Sequence, residues 1–170
     1  MIKAVILIAQ NFQDEEYIYP YYRMLEEGYD VVVASPDGED KFGKFGVPGR
    51  VTAKISDLNY EDFDLVFLPG GFESPDRLRM IPEVKIFVHD MFVANKLIAA
   101  ICHGPWICIS AGIVSDCEVT GYISIKDDLE NAGAVYIDQP VVVDGNLITA
   151  PHYKNNPEFM KAVVEYINDL

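Results

Sequence analysis

Residues 97–112 read LIAAICHGPWICISAG, and this stretch predicts the kind of fold that the chain adopts. The apolar residues Leu97 to Ile101 predict a strand that is covered on both faces, as in a parallel sheet. Cys102 follows without a spacer, and the residues from Pro105 to Ala111 predict a helix that ends at Gly112. The stretch therefore predicts a sharp strand-to-helix turn that exposes a reactive cysteine close to the start of a helix.

Strands and helices alternate along the rest of the chain. Further strands are predicted at Met1–Ala9, Tyr29–Ser35, Leu65–Leu68 and Glu118–Thr120, with edge strands within Val47–Ile55; helices are predicted at about Asp14–Glu27, Pro82–Asn95, Lys126–Asn131 and Pro157–Leu170. Pro20 predicts either a kink in the first helix or a later start. Asp144-Gly145 between two apolar runs predicts a hairpin. The pattern predicts one α/β domain over residues 1–170, a doubly wound, mostly parallel sheet sandwiched by helices, with one antiparallel hairpin.

Composition and charge exclude several classes of partner. The formal net charge of −14 argues against binding to nucleic acid and to anionic membranes, which both need clustered Lys and Arg. No apolar run approaches the roughly 20 residues of a membrane span, and the N-terminus has no cleavable-signal pattern. We therefore expect a cytoplasmic protein with no nucleic-acid or membrane partner.

The three cysteines are predicted to be free thiols, because their number is odd and their spacing is not that of a disulfide framework. Cys108 and Cys117 are interpreted as small core residues. No cysteine has metal-ligand spacing with a histidine, so we expect neither a metal nor another cofactor. For Cys102, the nearby helix start predicts a lowered thiol pKa.

Several short stretches together resemble one known family. They are AICHGP at residues 100–105, EYIYP at 16–20, LPGG at 68–71, IKDD at 125–128 with NAG at 131–133, and VVDGN at 142–146. They occur in the family's order across nearly the whole chain, and they are similar to the ThiJ/PfpI superfamily, with the greatest likeness to its PfpI branch. The resemblance implies a flavodoxin-like sheet, of the kind also found in class I glutamine amidotransferases.

The resemblance also implies roles for individual residues. Cys102 would be the nucleophile, His103 its neighbouring base, and Glu16 a helix carboxyl group in contact with the cysteine sulfur. Asp76 falls where the protease-like branch has a glutamate that reaches the histidine of a neighbouring subunit, which implies a homo-oligomer. Tyr122 would line the pocket.

Independently of the resemblance, the loops that follow parallel strands gather at one edge of a sheet, where ligands bind. Gly70 and Gly71 lie in such a loop, and the family likeness implies that they help to form an oxyanion pocket. Either glycine is also explained by the tight turn alone.

The sequence departs from the family pattern at three positions. Asp76 is one methylene shorter than the expected glutamate, and Gln13 stands where close relatives often have a second acid. His152 lies in a segment where many relatives have an arginine, and we interpret it as a surface-loop residue.

Three functions are compatible with these residues. The first is a PfpI-type protease-like hydrolase, in which Cys102 attacks the carbonyl of a peptide substrate. The second is a glyoxalase or deglycase acting on a small carbonyl substrate such as methylglyoxal or its adducts, with Glu16 moving protons. The third is a redox sensor or holdase without turnover. Sequence likeness favours the protease-like hydrolase.

Overall fold

The computed structural model describes residues 1–170, and a seven-stranded sheet forms its centre. In chain order the strands are β1 (Lys3–Leu7), β2 (Asp30–Ser35), β3 (Lys41–Phe42), β4 (Pro48–Gly49), β5 (Ala53–Lys54), β6 (Leu65–Leu68), β7 (Leu97–Ile101), β8 (Glu118–Val119), β9 (Val135–Tyr136), β10 (Val142–Asp144) and β11 (Leu147–Ala150). The central sheet has the order β10-β11-β7-β6-β1-β2-β5. Its strands run parallel except for β10, which pairs with β11 in the predicted antiparallel hairpin.

Two further pairs lie outside this sheet. β3 and β4 form a small antiparallel pair, and β8 and β9 form a small parallel pair. The mostly parallel α/β fold expected from the sequence is confirmed.

The strand order reverses beside β1. After β1 the chain builds β2 and β5 on one side, and it then returns to build β6, β7 and β11 on the other side. The loops that leave β1 and β6 therefore diverge, and they open a crevice at the carboxyl ends of these strands. β7 ends next to β6 at the same edge, since Leu68 is paired with Ala100. This edge of the sheet is where the fold places a ligand site.

Six helices cover the two faces of the sheet. They are α1 (Asp14–Glu26), α2 (Glu73–Leu78), α3 (Pro82–Val93), α4 (Pro105–Ser110), α5 (Lys126–Asn131) and α6 (Asn156–Asn168). Alternate residues of β1 point to opposite faces, so Val5 and Leu7 pack with α2 to α5, whereas Ala4 and Ile6 pack with α1 and α6. Because both faces are covered, the central strands are continuous apolar runs.

The structure also differs from the predictions in places. α2 was not predicted, and neither were the short strands β3 and β9. Helix α1 begins at Asp14 and continues past Pro20 to Glu26, so the proline does not delay its start. No helix is both long enough and apolar enough to cross a membrane.

Candidate active site

The turn after β7 holds Cys102 in an unusual backbone conformation. Its φ is 62°, in the left-handed region that residues other than glycine rarely adopt. The residue is tied in place because its N–H donates to the Ala150 carbonyl of β11 at 2.9 Å. The turn also requires glycine at position 104, since a Cβ there would lie 2.4 Å from the Leu68 carbonyl oxygen. This is the geometry of a nucleophile elbow, in which a strained residue is presented at a strand end.

Glu16 reaches the same point from the first turn of α1. The residue is fully buried, and its Oε1 accepts a hydrogen bond from the Gly70 N–H at 2.9 Å. Its Oε2 has no hydrogen-bond partner of good geometry. The adjacent Cys102 thiol nevertheless interacts with the carboxyl group and lowers its pKa. Burial raises the pKa of Glu16 to about 8, against the smaller lowering effects of Gly70 and Cys102. Glu16 therefore holds its proton at neutral pH, because burial disfavours its charged form.

The thiol of Cys102 does not have the lowered pKa that the sequence predicted. Burial raises the pKa of Cys102 to about 12, and the negative charge of ionised Glu16 raises it further. The backbone N–H groups of Gly71 and His103 act in the opposite direction, because both donate toward the sulfur. Since α4 begins three residues later and has only one and a half turns, its dipole is too weak to offset the loss of solvent.

His103 lies beside the sulfur and is neutral at neutral pH. Its Nδ1 and the Cys102 Sγ are 3.2 Å apart, and its Nε2 is 3.2 Å from the Ser124 hydroxyl. Burial, followed by the positive charge of Lys44, lowers the pKa of His103 to about 4. The neutral imidazole has one ring nitrogen free to accept a proton, and its Nδ1 faces the sulfur. Because its pKa is far below that of the thiol, His103 can take the thiol proton only as the sulfur attacks a substrate, and not to form a free thiolate beforehand.

The turn after β6, formed by Gly70 and Gly71, packs against Glu16 and Cys102. Gly71 has a φ of 74°, and a Cβ there would lie 2.5 Å from the backbone nitrogen of Gln13. At Gly70 a Cβ would lie 2.4 Å from Glu16 Oε1 and 2.5 Å from Cys102 Cβ. Both positions therefore require glycine, because the loops after β1, β6 and β7 approach one another closely here.

These groups border a cavity of about 320 Å³ at the sheet edge. It is lined by Gln13, Glu16, Lys44, Gly71, Phe72, Cys102, His103, Tyr122, His152 and Tyr153. Tyr122 stacks on the His103 ring with 4.9 Å between ring centroids, and His152 stacks on Tyr122 at 6.0 Å. Aromatic rings thus form one wall beside the thiol, which suits a small organic substrate.

Most of the site residues predicted from the sequence come together in this cavity. Asp76 does not, because it is exposed on α2 and lies outside the lining of its own chain's cavity. His152, interpreted as a surface-loop residue, is half-buried and belongs to the cavity wall. Its Nδ1 accepts a hydrogen bond from the Lys154 N–H at 3.2 Å, which leaves Nε2 to carry the proton of the neutral ring.

Sequence reasoning missed Lys44, Phe72 and Tyr153 as lining residues. Each comes from a loop whose sequence has no chemical motif, and the fold brings these loops together. Phe72 had one indirect signal, since it follows the Pro69-Gly70-Gly71 turn at the predicted strand edge.

The other two cysteines lie away from the cavity. Cys108 is fully buried within α4, and burial raises its pKa to about 12. Cys117 is half-buried, and its thiol donates to the Ile113 carbonyl at 3.4 Å. Their surroundings agree with the expectation that both serve as packing residues.

Comparisons with known proteins show which family the sequence matches. The family described as DJ-1/PfpI matches residues 2–166 of this chain. The deglycase PfpI of Pyrococcus furiosus is 39% identical over 166 residues, which cover 98% of this chain and 99% of that protein. YraA of Bacillus subtilis, provisionally named a cysteine protease, is 39% identical over 149 residues, covering 87% of this chain and 88% of that protein.

Solved structures give the same picture at the level of the fold. A two-domain protein from Anabaena variabilis, with DJ-1/ThiJ/PfpI-like and ferritin-like domains, superposes with a TM-score of 0.96 and 35% sequence identity. The superposition covers 99% of this chain and 48% of that protein, so this chain spans about half the length of its two-domain relative.

Proposed function

Because this chain belongs to the DJ-1/PfpI family, we propose that it is a cysteine-dependent glyoxalase or deglycase that acts on 2-oxoaldehydes and their amine adducts. The observation that carries the proposal is the buried pair of Glu16 and Cys102. A carboxyl group with a pKa of about 8 can both give and take a proton near neutral pH, and it lies against the nucleophile. A relative of nearly equal length is named a deglycase, which supports the same reaction class.

The first chemical step joins Cys102 to the aldehyde carbon of the substrate. The sulfur–carbon bond forms as the π bond of the carbonyl breaks, and the neutral imidazole of His103 accepts the thiol proton. The new oxyanion lies next to the N–H groups of Gly71 and His103, which already donate toward the sulfur. Proton return to this oxygen gives a hemithioacetal.

The second step moves a proton between neighbouring carbons. Ionised Glu16 takes the proton from the carbon bound to sulfur and delivers it to the former ketone carbon, while the hydroxyl proton of the hemithioacetal moves to the former ketone oxygen. The first carbon is thereby oxidised and the second reduced by the same two electrons. The product of this step is a thioester with a 2-hydroxyl group. No external oxidant or reductant is needed.

Hydrolysis completes the cycle. Water attacks the thioester carbonyl, the sulfur leaves as the thiol, and a 2-hydroxy acid is released, so that methylglyoxal and one water give lactate. For a hemiaminal adduct the first step differs, because the sulfur displaces the amine: the sulfur–carbon bond forms as the carbon–nitrogen bond breaks, and the amine leaves with the thiol proton. The resulting hemithioacetal then follows the same second and third steps.

Lactate formation from methylglyoxal without added glutathione tests the proposal. We expect Cys102→Ser to abolish turnover, and Glu16→Gln to lower kcat by about 100-fold or more, because glutamine cannot transfer the proton. Alkylation of Cys102 by iodoacetamide should persist in Glu16→Gln. Glu83→Gln is a matched control, since Glu83 is an exposed first-turn glutamate of α3. Full lactate formation by Glu16→Gln would contradict the mechanism.

A protease-like hydrolase is the second candidate, and the contact between Cys102 Sγ and His103 Nδ1 favours it. Within one chain, however, the Nε2 side of His103 meets Ser124 and no carboxylate, since Asp76 lies elsewhere. A panel of fluorogenic peptides separates the two candidates. Peptide hydrolysis that is lost in Cys102→Ser but retained in Glu16→Gln would favour the protease, because that chemistry uses His103 as its base.

A further inference from the structure

The cavity beside Cys102 differs in charge from the rest of the molecule. The whole chain has a formal net charge of −14. Among the cavity-lining residues, Glu16 holds its proton at neutral pH, and burial keeps His103 and His152 neutral by lowering their pKa values. Lys44 is then the one charged side chain of the lining, so the cavity is locally positive within an acidic protein.

Lys44 has no ionic partner in the chain. None of the ion pairs includes it, although acidic residues outnumber basic ones about two to one in the sequence. Its Nζ instead lies 4.9 Å from the centroid of the Phe72 ring, another residue of the cavity lining. Its charge reaches the reacting groups, because it lowers the pKa values of Cys102 and His103. The side chain of Lys44 is exposed, and its cation lies over the Phe72 ring, free to meet a ligand.

The turn that carries Lys44 is fixed to the start of α1. The buried carboxylate of Asp14 accepts hydrogen bonds from the N–H groups of Phe45 at 3.0 Å and Val47 at 2.9 Å. The Lys44 N–H itself donates to the Phe12 carbonyl at 3.0 Å. At Gly43 a Cβ would lie 2.2 Å from the Asp14 carboxylate, so this close approach requires glycine. The position of Lys44 is therefore built by the fold and not by a loosely held loop.

We propose that Lys44 binds a carboxylate of the substrate, and that the natural substrate is a 2-oxoaldehyde, or its amine adduct, that carries such a group. A single ammonium is balanced by a singly charged anion, which favours a carboxylate over a phosphate dianion. The neutral Nε2–H of His152 is a second donor on the same cavity. This inference names the substrate class of the proposed reaction and so rests on the proposed function, but its test does not require turnover.

Two alkylating reagents of nearly the same shape test the subsite directly. Iodoacetate carries a carboxylate where iodoacetamide carries a neutral amide, and both attack the same thiolate. The ratio of their rates at Cys102, divided by the ratio for free N-acetylcysteine, therefore cancels any change in thiol ionisation. We expect this normalised ratio to exceed unity by about fivefold in the wild-type protein, as for a close charge pair near the surface.

Three variants complete the test, with alkylation of Cys102 followed by peptide mass mapping. Lys44→Met should lose the roughly fivefold preference, Lys44→Arg should keep most of it, and Lys161→Met should leave it unchanged. Lys161 is a suitable control because it is an exposed lysine on α6. A wild-type ratio near unity, or an unchanged ratio in Lys44→Met, would overturn the proposal.

Turnover separates this inference from the proposed function. 4,5-Dioxopentanoate is a 2-oxoaldehyde with a carboxylate, and the same reaction with one water gives 2-hydroxyglutarate. We expect its kcat/KM to exceed that of methylglyoxal in the wild-type protein and the ratio of the two to fall in Lys44→Met. Turnover of methylglyoxal without any preference for iodoacetate would support the proposed function and refute the subsite. A preference for iodoacetate without turnover of either aldehyde would support the anion subsite and refute the proposed function.

Discussion

The carboxyl group of Glu16 couples the chemistry of the cavity to the stability of the fold. In the unfolded chain its pKa has the ordinary value of 4.5, whereas burial raises the folded-state pKa to about 8. Between these two pH values the unfolded chain releases a proton that the folded chain keeps. The unfolded state is therefore favoured as the pH rises, and the contribution of Glu16 to stability is complete below 4.5 and lost by about pH 8.

We predict that Glu16→Gln removes this part of the pH dependence. Relative to the wild-type protein, the variant should gain on the order of 4 kcal/mol in its free energy of unfolding between about pH 5 and about pH 8. Urea unfolding of both proteins at the two pH values measures this difference, and all other titrating groups cancel in the comparison. A difference that does not change with pH would mean that Glu16 is ionised in the folded protein.

The sequence predicted the identity of the reacting residues better than their electrostatics. Cys102 and Glu16 were found because one follows an apolar strand without a spacer and the other belongs to a family motif. The prediction of a lowered pKa for Cys102 was wrong. Burial raises this pKa, and the depth of burial depends on how three separate loops close around the sulfur. Lys44 could not be found, since nothing in its local sequence shows that its turn lies over the carboxyl end of β6.

Gly104 decides whether the strand-to-helix turn can form. Its φ is −50°, so it needs no special backbone freedom, but a Cβ there would lie 2.4 Å from the Leu68 carbonyl oxygen and 2.9 Å from that of Ile101. We predict that Gly104→Ala destabilises the protein by about 1–3 kcal/mol through steric overlap and slows alkylation of Cys102. Chemical unfolding and iodoacetamide kinetics measure the two effects.

Gly112 provides the matched control for that substitution. It ends α4 with a φ of 72°, and a Cβ there would have no neighbour within 4 Å. Gly112→Ala should therefore cost about 1–2 kcal/mol of backbone strain while Cys102 reacts at the wild-type rate. Equal alkylation rates in the two alanine variants would show that Gly104 does not shape the turn.

At the level of elements, long apolar runs were predictable and short polar ones were not. β7 was recognised because its five consecutive apolar residues have the length typical of a strand that is buried on both faces. α2 was missed because its six residues, Glu73 to Leu78, include a serine and a proline and have too little apolar periodicity to stand out. β9 has two residues and is held by its pairing with β8, which is information that lies in the tertiary structure.

The surface around the cavity supports the expectation of a homo-oligomer. Phe72 is 58% exposed at the start of α2 and Met80 is 68% exposed just after its end, with Asp76 exposed between them. Phenylalanine and methionine are enriched at protein interfaces, so these two exposed side chains favour this surface as an interface. We predict an oligomer by light scattering at micromolar concentration; a monomer under those conditions would remove the model in which Asp76 acts on a neighbouring subunit.

Mixing of inactive variants tests whether that carboxylate serves another subunit's His103. Each of Cys102→Ser and Asp76→Ala would be deficient by itself in any activity that needs both groups. Co-refolded mixtures should recover part of that activity, because some interfaces then combine an intact Cys102 with an intact Asp76 from the other chain.

The turn that carries Lys44 lies outside the central sheet, on the small hairpin of β3 and β4, whereas the reacting groups lie on the ends of central strands and on α1. Selection can therefore replace the exposed side chain at position 44 without moving Cys102, Glu16 or His103, provided that the contacts of this turn with Asp14 and Phe12 are kept. A homologue with a different side chain at this position would keep the placement of the reacting residues while the charge and shape of the cavity changed. Substrate preference can thus evolve by substitution at this one position of the hairpin. Substitutions taken from homologues at this position would change the preference in the laboratory in the same way.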